Sequence, residues 1–300
     1  MSRRCQLTII IPTIASAARA RDLRRAIDSV RDQSEPCRIL CVVNGDRRDD
    51  DVVASVRAVP RVGVLEQAEG NLVKALAAGV AAVETPFFSI LDDDDILLPG
   101  ACARRVAAMQ ARPDADVVAT PGLKRWISGR EEPLPDRFDA DDPMNSLFVS
   151  QWLPSCGGVF RRATVGPEFF AAMPRYLEYT DLAFRLLRQR RVAFLFDDAP
   201  HFIVFQTEGS DSASLEHTLA LPRHLERIRA AHLPPRVDRA VARKIAGLRH
   251  RAAVQCLRAG RVAEAWRYHV GSLRDAGGLR YLLFTRHFLL APFRATRASR

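Results

Sequence analysis

Short apolar runs and helically spaced stretches take turns along the front of the chain. Leu7-Thr8-Ile9-Ile10-Ile11-Pro12-Thr13 is β-branched and closed by proline, which predicts a buried strand. From Asp22 to Arg31, Leu23, Ala26, Ile27 and Val30 recur at helical spacing. Arg38 to Val43 reads as a second buried strand, ended by Asn44-Gly45-Asp46. A short helix over 52–59, a strand over 62–65 and a helix over 71–83 follow. Phe87-Phe88-Ser89-Ile90-Leu91 is the next strand, and it stops at four acids, Asp92-Asp93-Asp94-Asp95. Past Pro99 a helix runs to about Arg112, and 116–120 is a strand. Residues 129–146 are rich in Pro, Asp and Glu with little periodicity and read as a mobile loop. A helix from Leu177 to Arg188, short strands over 192–196 and 201–205, and a Gly/Ser-rich turn over 209–214 close this part.

Strands alternating with helices at this interval predict an α/β fold, a mostly parallel doubly wound sheet flanked by helices. Right-handed crossovers put the strands' carboxyl ends on one edge, where such sheets bind ligands. That edge collects Thr13, Asn44, Asp46 and the acids Asp92 to Asp95. The Gly-x-Gly-x-x-Gly fingerprint is absent after the first strand, and so is a Gly-Lys-Ser/Thr phosphate loop. Nucleotide binding here depends on polar side chains and a cation instead. Adjacent carboxylates repel one another unless they are solvated or hold a hard cation. Mg2+ or Mn2+ suits oxygen ligands, with one or two carboxylates plus substrate phosphates. Taken alone, the acids read equally as a solvated turn capping the helix near Pro99.

Behind His217 the pattern turns helical, over 219–231, 237–258 and 262–274. The charge changes with it: residues 217–300 carry 18 Lys+Arg against 4 Asp+Glu, whereas 1–216 carry 27 against 31. The formal net charge of +10 therefore belongs to the rear of the chain. Only Lys74, Lys124 and Lys244 are lysine, so arginine richness by itself points to no ligand. The last segment, 279–293, mixes Leu and Phe with Arg, which suits either a packed helix or an anionic lipid surface. With few aromatics among the arginines and no nucleic-acid motif, nucleic acid is not an expected partner. The six cysteines are scattered, none in a Cys-x-x-Cys pair. With no signal-peptide pattern and no run long enough to span a membrane, they predict a reducing cytoplasm, with the inner face of the cytoplasmic membrane as an alternative.

Across roughly residues 6–210 the order of motifs resembles family 2 glycosyltransferases, the nucleotide-sugar-dependent, inverting enzymes of GT-A fold. The resemblance lies in Thr8-Ile9-Ile10-Ile11-Pro12-Thr13, Val42-Val43-Asn44-Gly45-Asp46, and Gly70-Asn71-Leu72-Val73-Lys74-Ala75-Leu76. It continues in Phe88-Ser89-Ile90-Leu91-Asp92-Asp93-Asp94-Asp95, similar to the family's Asp-x-Asp-Asp segment, and in Gly157-Gly158-Val159-Phe160-Arg161-Arg162 and Glu178-Tyr179-Thr180-Asp181-Leu182. Six motifs in one order are specific where any one is weak.

The resemblance implies a catalytic domain over 1–212, with a donor-binding half to about 120 and an acceptor-side half over 121–212, followed by a basic helical extension over 213–300. It implies sugar transfer with inversion from a nucleoside diphosphate sugar, UDP-linked by preference. The acceptor is a saccharide or lipid-linked saccharide hydroxyl, in envelope polysaccharide or glycolipid synthesis. Donor contacts fall on Pro12, Thr13, Asn44, Asp46, Asn71, Lys74, Asp92 and Asp93, and Mn2+ or Mg2+ on Asp92 and Asp94. Trp152, Gly157 and Gly158 fall on the acceptor side. The family's Glu-Asp pair reads Glu178-Tyr179 here, so the base role passes to Asp181, with Glu178 second. An Arg-x-His near Gly-Ser reads Gln206-Thr207-Glu208, without the histidine. A nucleotidyltransferase would carry a Gly-rich basic loop after the first strand, and Thr13-Ile14-Ala15-Ser16-Ala17 offers none.

Overall fold

The structure is a computed structural model, and it describes residues 5–195, 199–207 and 214–288. The chain divides into two compact units, residues 1–208 and 209–300.

The first unit opens with β1 (Leu7–Thr13), α1 (Ala20–Arg31), β2 (Cys37–Asn44), α2 (Asp50–Arg57), β3 (Val62–Gln67), α3 (Leu72–Ala81) and β4 (Phe87–Ile90). Next come β5 (Ile96–Leu97), α4 (Ala101–Ala111), β6 (Val117–Ala119), β7 (Gly122–Arg125), β8 (Glu131–Leu134) and α5 (Pro143–Val149). It ends with β9 (Gly158–Arg161), α6 (Pro167–Ala171), α7 (Glu178–Gln189), β10 (Val192–Phe194) and β11 (Phe202–Phe205). Seven of these strands form one sheet in the order β10-β6-β9-β4-β1-β2-β3. Every residue of β1 is buried, as its unbroken apolar run demands of a central strand. α1 turns Leu23, Ala26, Ile27 and Val30 onto the sheet, the face its spacing predicts.

The parallel pairs β1–β2, β1–β4, β2–β3 and β6–β10 match the expected winding. β9 departs from it, running antiparallel between β4 and β6, with Ser89 opposite Val159. Its amino end therefore reaches the edge where β4 stops, so the residues just before it, Ser155 and Cys156, arrive beside the acids.

Residues 129–146 are not a structureless loop. β8 pairs antiparallel with β7, and Asp142 caps α5 by accepting from the Asn145 amide. These two strands join β5 and β11 in a second, four-stranded sheet. Short, half-polar strands on a small sheet leave only a weak alternation to read. The turn expected over 209–214 falls almost wholly outside the described residues.

The second unit holds α8 (Leu215–Arg229), α9 (Pro235–Arg258), α10 (Val262–Arg274) and a 3-10 helix, Gly278–Phe284. Ala252, Ala253, Cys256, Ala265, Tyr268 and Phe288 form its core. Arg249 on α9 pairs with Glu226 of α8 and, at 2.7 Å, with Asp275 beyond α10, tying the three helices together. No described helix is long and apolar enough to cross a membrane.

Candidate active site

The four acids leave β4 at its carboxyl end, and their side chains alternate between two environments. Asp93 and Asp95 are buried, 4% and 2% exposed, whereas Asp92 and Asp94 are half-buried. The inward pair is fixed by the protein. Thr13 Oγ1 donates to Asp93 Oδ2 at 2.6 Å and accepts from the Ala15 amide. Asp95 accepts from the Phe205 amide at 3.0 Å and from Cys156 Sγ at 3.7 Å. These bonds pin the segment to the loop after β1, to β11 and to the entry of β9.

The open pair has looser partners. Arg19, in the loop after β1, reaches Asp94 Oδ2 at 3.0 Å and Asp93 Oδ1 at 3.1 Å. Thr207 Oγ1 stands 3.3 Å from Asp94 Oδ2, and Arg25 holds the Asp94 carbonyl at 2.7 Å. Arg19 is thus in ion-pair contact with two of the four carboxylates, and among the described residues the cluster is under-neutralised. Burial, with repulsion from Asp94 and Asp93, pushes the Asp92 carboxyl up to about 7 against a hydrogen bond from Ser155. Burial pushes Asp93 and Asp95 upward as well.

These side chains suit a divalent cation. Among the described residues no group of three or more His, Cys, Asp or Glu could hold a metal ion. Two half-open carboxylates in an under-neutralised cluster are nonetheless the donor set that Mg2+ or Mn2+ completes with substrate phosphates. Asp92 and Asp94 would hold it.

The other rim residues divide into bracing and open groups. Asn44 Oδ1 accepts from the Asn71 amide at 2.6 Å, and Asn71 Oδ1 caps α3 by accepting from the Lys74 amide. Gly45, at φ +92°, sits so close to Gly70 that a Cβ there would lie 2.8 Å from its Cα. The ends of β2 and β3 are thereby locked together. Asp46 is exposed beside this brace. Lys74 is exposed and pairs with Glu69, a surface arrangement. Pro12 lies buried within β1, and Thr13 is committed to Asp93.

Trp152 is a packed residue with no surface on which a sugar could stack. It is fully buried, donates from Nε1 to the Pro143 carbonyl at 2.9 Å and meets Phe194 edge-on. Gly157 and Gly158 serve packing, since a Cβ on either would come within 3 Å of Pro154 or Leu153.

On the first turn of α7, Asp181 is held by Arg185 Nε at 2.7 Å, and Arg185 is anchored to the Phe169 carbonyl. Tyr179 turns toward the acids. Its hydroxyl is buried without a hydrogen-bond partner among the described residues, and burial together with Asp92, Glu178, Cys156 and Asp95 pushes it well above the usual phenol range. Two residues along a helix rotate a side chain by about 200°. Asp181 therefore projects away from the side Tyr179 faces, and Glu178 lies between them, accepting from the Tyr176 amide at 2.8 Å.

Sequence reasoning missed Arg19, Thr207, Ser155 and Tyr179. Arg19 gave no signal, and Thr207 gave one only by lying in Gln206-Thr207-Glu208, where Arg-x-His was expected. Tyr179 gave one, because it stands where an acid was expected.

The fold has known counterparts. The chain is similar to the crystal structure of S. aureus TarS 1-349 in complex with UDP-GlcNAc, with a TM-score of 0.56 at 15% identity over 82% of this chain and 72% of that one. It is also similar to the mannosyltransferase PcManGT from Pyrobaculum calidifontis in complex with GDP-Man and Mn2+, with a TM-score of 0.57 at 17% identity over 98% and 83%. The chain thus has the GT-A fold, and its sheet and helices are those of a glycosyltransferase. No curated protein matches the sequence at a significant level. The family described as Glycosyl transferase family 2 matches residues 8–161, from β1 through the acids to the end of β9. Since that stretch is just over half of the chain and contains the rim built above, the protein belongs to glycosyl transferase family 2.

Proposed function

We propose that this enzyme moves a sugar from a nucleoside diphosphate donor, UDP-linked, to a hydroxyl of a saccharide or lipid-linked saccharide, with inversion. The observation that carries it is the alternation at Asp92 to Asp95, two acids fixed inward and two left open at the carboxyl end of β4. The UDP-GlcNAc and GDP-Man complexes of the structural counterparts support a nucleotide-sugar donor at this edge. A divalent cation on Asp92 and Asp94 would neutralise the departing diphosphate as a Lewis acid.

The chain's own residues do the rest. Asn44 and Asn71 hold the rim against which the nucleoside lies, with Asp46 open beside it. Arg19 adds a positive charge next to the diphosphate position. Glu178 takes the proton from the acceptor hydroxyl, because the carboxylate of Asp181, the other candidate, is bound to Arg185. Asp181 fixes the turn. The acceptor oxygen deprotonated in this way attacks the anomeric carbon from the face opposite the departing diphosphate, which inverts that carbon. Work in envelope polysaccharide or glycolipid synthesis, at the cytoplasmic face of the membrane, fits such an acceptor.

The test is a thermal-shift titration of UDP, GDP and their sugars with and without Mn2+. UDP and Mn2+ together are expected to raise the melting temperature more than either alone. Equal shifts for UDP with and without metal, repeated in Asp94→Ala, would refute the site.

A further inference from the structure

The second unit carries a cationic cleft that sugar transfer does not use. It encloses about 540 Å3 between α9 and the 3-10 helix, and its lining includes Arg243, Lys244, His250, Arg251, Arg280 and Tyr281 but no acid. The four carboxylates behind residue 217 are engaged elsewhere: Glu226 and Asp275 by Arg249, Asp238 by Arg229, and Glu264 by Arg261. Arg243, Arg251 and Arg280 are exposed and Lys244 is half-buried. Burial alone pushes the Lys244 ammonium down, with no carboxylate acting against it. Gly247 lies in mid-helix at the cleft, where a Cβ would come to 3.4 Å from Tyr281 Oη. Glycine there costs helix stability and leaves the floor low.

Tyr281 stacks on His250 with ring centroids 4.0 Å apart, which clamps the 3-10 helix to α9. Phe284 and Phe288 turn inward against His269. Leu279, Leu282 and Leu283 are left outside, at 73%, 55% and 79% exposure. Lone exposed leucines are ordinary, but three on one turn beside a basic cleft are not.

We propose that this face is a membrane-docking site. The leucines enter the headgroup zone of a bilayer, and the cleft takes the phosphate of an anionic lipid. A second copy fits poorly, since it would bring one strongly basic surface against another. Nucleic acid would satisfy the cleft but gives the leucines nothing to contact. The inference stands apart from the reading of the active site, because neither depends on the other's residues.

The test uses the full chain in flotation with phosphatidylcholine vesicles, with and without phosphatidylglycerol. Binding is expected only with the anionic lipid, weakening as salt rises. Each neutralised arginine, in Arg243→Gln or Arg251→Gln, is expected to lower partitioning about fivefold. The triple change Leu279→Ser, Leu282→Ser, Leu283→Ser is expected to lower it on the order of a hundredfold. Circular dichroism checks that each variant keeps its helices. Equal partitioning onto both vesicles, or no effect of the leucine change, overturns the proposal. So does a leucine variant that only changes the oligomeric state in light scattering. Inorganic phosphate or an oligonucleotide binding the cleft while vesicles are ignored reassigns it and overturns the proposal as well.

Discussion

Asp94→Ala and Asp95→Ala alter adjacent residues of one acid run, and the alternation predicts opposite outcomes. Asp95 is buried and accepts the Phe205 amide at 3.0 Å, so removing it leaves that half-buried donor without its acceptor. An unmade bond of this kind costs about 1–3 kcal/mol, and a small cavity adds to it. Opposing this is relief of repulsion. The folded carboxyl of Asp95 lies well above its ordinary value, so the unfolded chain holds fewer protons than the folded one as pH rises past that value. Stability is therefore lost as pH rises past the ordinary carboxylate range. Asp95→Asn separates the two effects: it keeps an acceptor for the amide and drops the charge. Asp95→Ala is expected to lose about 2 kcal/mol, or roughly 4–8 °C in a unit of this size. Asp95→Asn is expected to be neutral or stabilising. Asp94, half-buried and open, should change melting by no more than a degree or two as Ala. Yet it should abolish the stabilisation that saturating UDP with Mn2+ provides, about 2.7 kcal/mol at a hundred times the dissociation constant. The assay is a melt of each variant with and without UDP and Mn2+. If Asp94→Ala keeps the ligand-dependent shift, or destabilises as much as Asp95→Ala, the assignment of inward and outward acids is wrong.

Three further outcomes follow from the same geometry. Glu178→Gln is expected to lower kcat by about 10²–10⁴ and remove the acidic limb of the pH profile, whereas Asp181→Asn should keep that limb; the reverse pattern returns the base to Asp181. Burial, with Arg105 and Arg104 nearby, pushes the His201 imidazole down to about 3. The unfolded chain then takes up this proton first, so stability is full above about pH 6.5 and falls toward pH 3 by about 1.4 kcal/mol per unit; urea titrations of His201→Gln should show a shallower fall. Lys74→Ala should leave donor affinity within twofold in the same titration, because its ammonium pairs with Glu69 at the surface.

The main sheet was legible because its strands are long apolar runs and its helices show periodic faces. β1 was read to the residue, and α1 to within two. The direction of β9 was not legible. Four residues, Gly158 to Arg161, carry no sign of which way they run, and only pairing with β4 and β6 decides it. That one reversal brings Ser155 and Cys156 to the acids, so part of the site depends on tertiary pairing that local sequence does not encode. The β7–β8 hairpin was missed for a related reason. Glu131 to Leu134 is half polar and includes Pro133, which suits an edge strand and reads as a loop. Motifs placed the acids on the rim and put the metal on Asp92 and Asp94, but gave no sign of the division into inward and outward acids. That distinction comes from Thr13, Phe205 and Cys156, which lie far away in the chain.

The acid run also shows how binding and stability oppose each other at this rim. Asp92 to Asp95 form a turn closed by the Asp95 amide on the Asp92 carbonyl at 3.1 Å, and with Asp93 and Asp95 bonded inward this turn leaves Asp92 and Asp94 half-buried at its surface. The inward pair is thus the means of aiming the outward pair, and its burial is unfavourable for two carboxylates. Arg19 compensates only partly, being the single guanidinium among the described residues in ion-pair contact with the run. Asp92 is raised to about 7 by burial first and by repulsion from Asp94 and Asp93 after it. A bound cation would reverse that shift, so the interaction that readies the donor would also relieve the strain of holding four acids together. Stabilisation by metal and nucleotide together should therefore exceed the sum of the two alone. Simple addition of the two shifts would mean that the acids are neutralised by the protein itself.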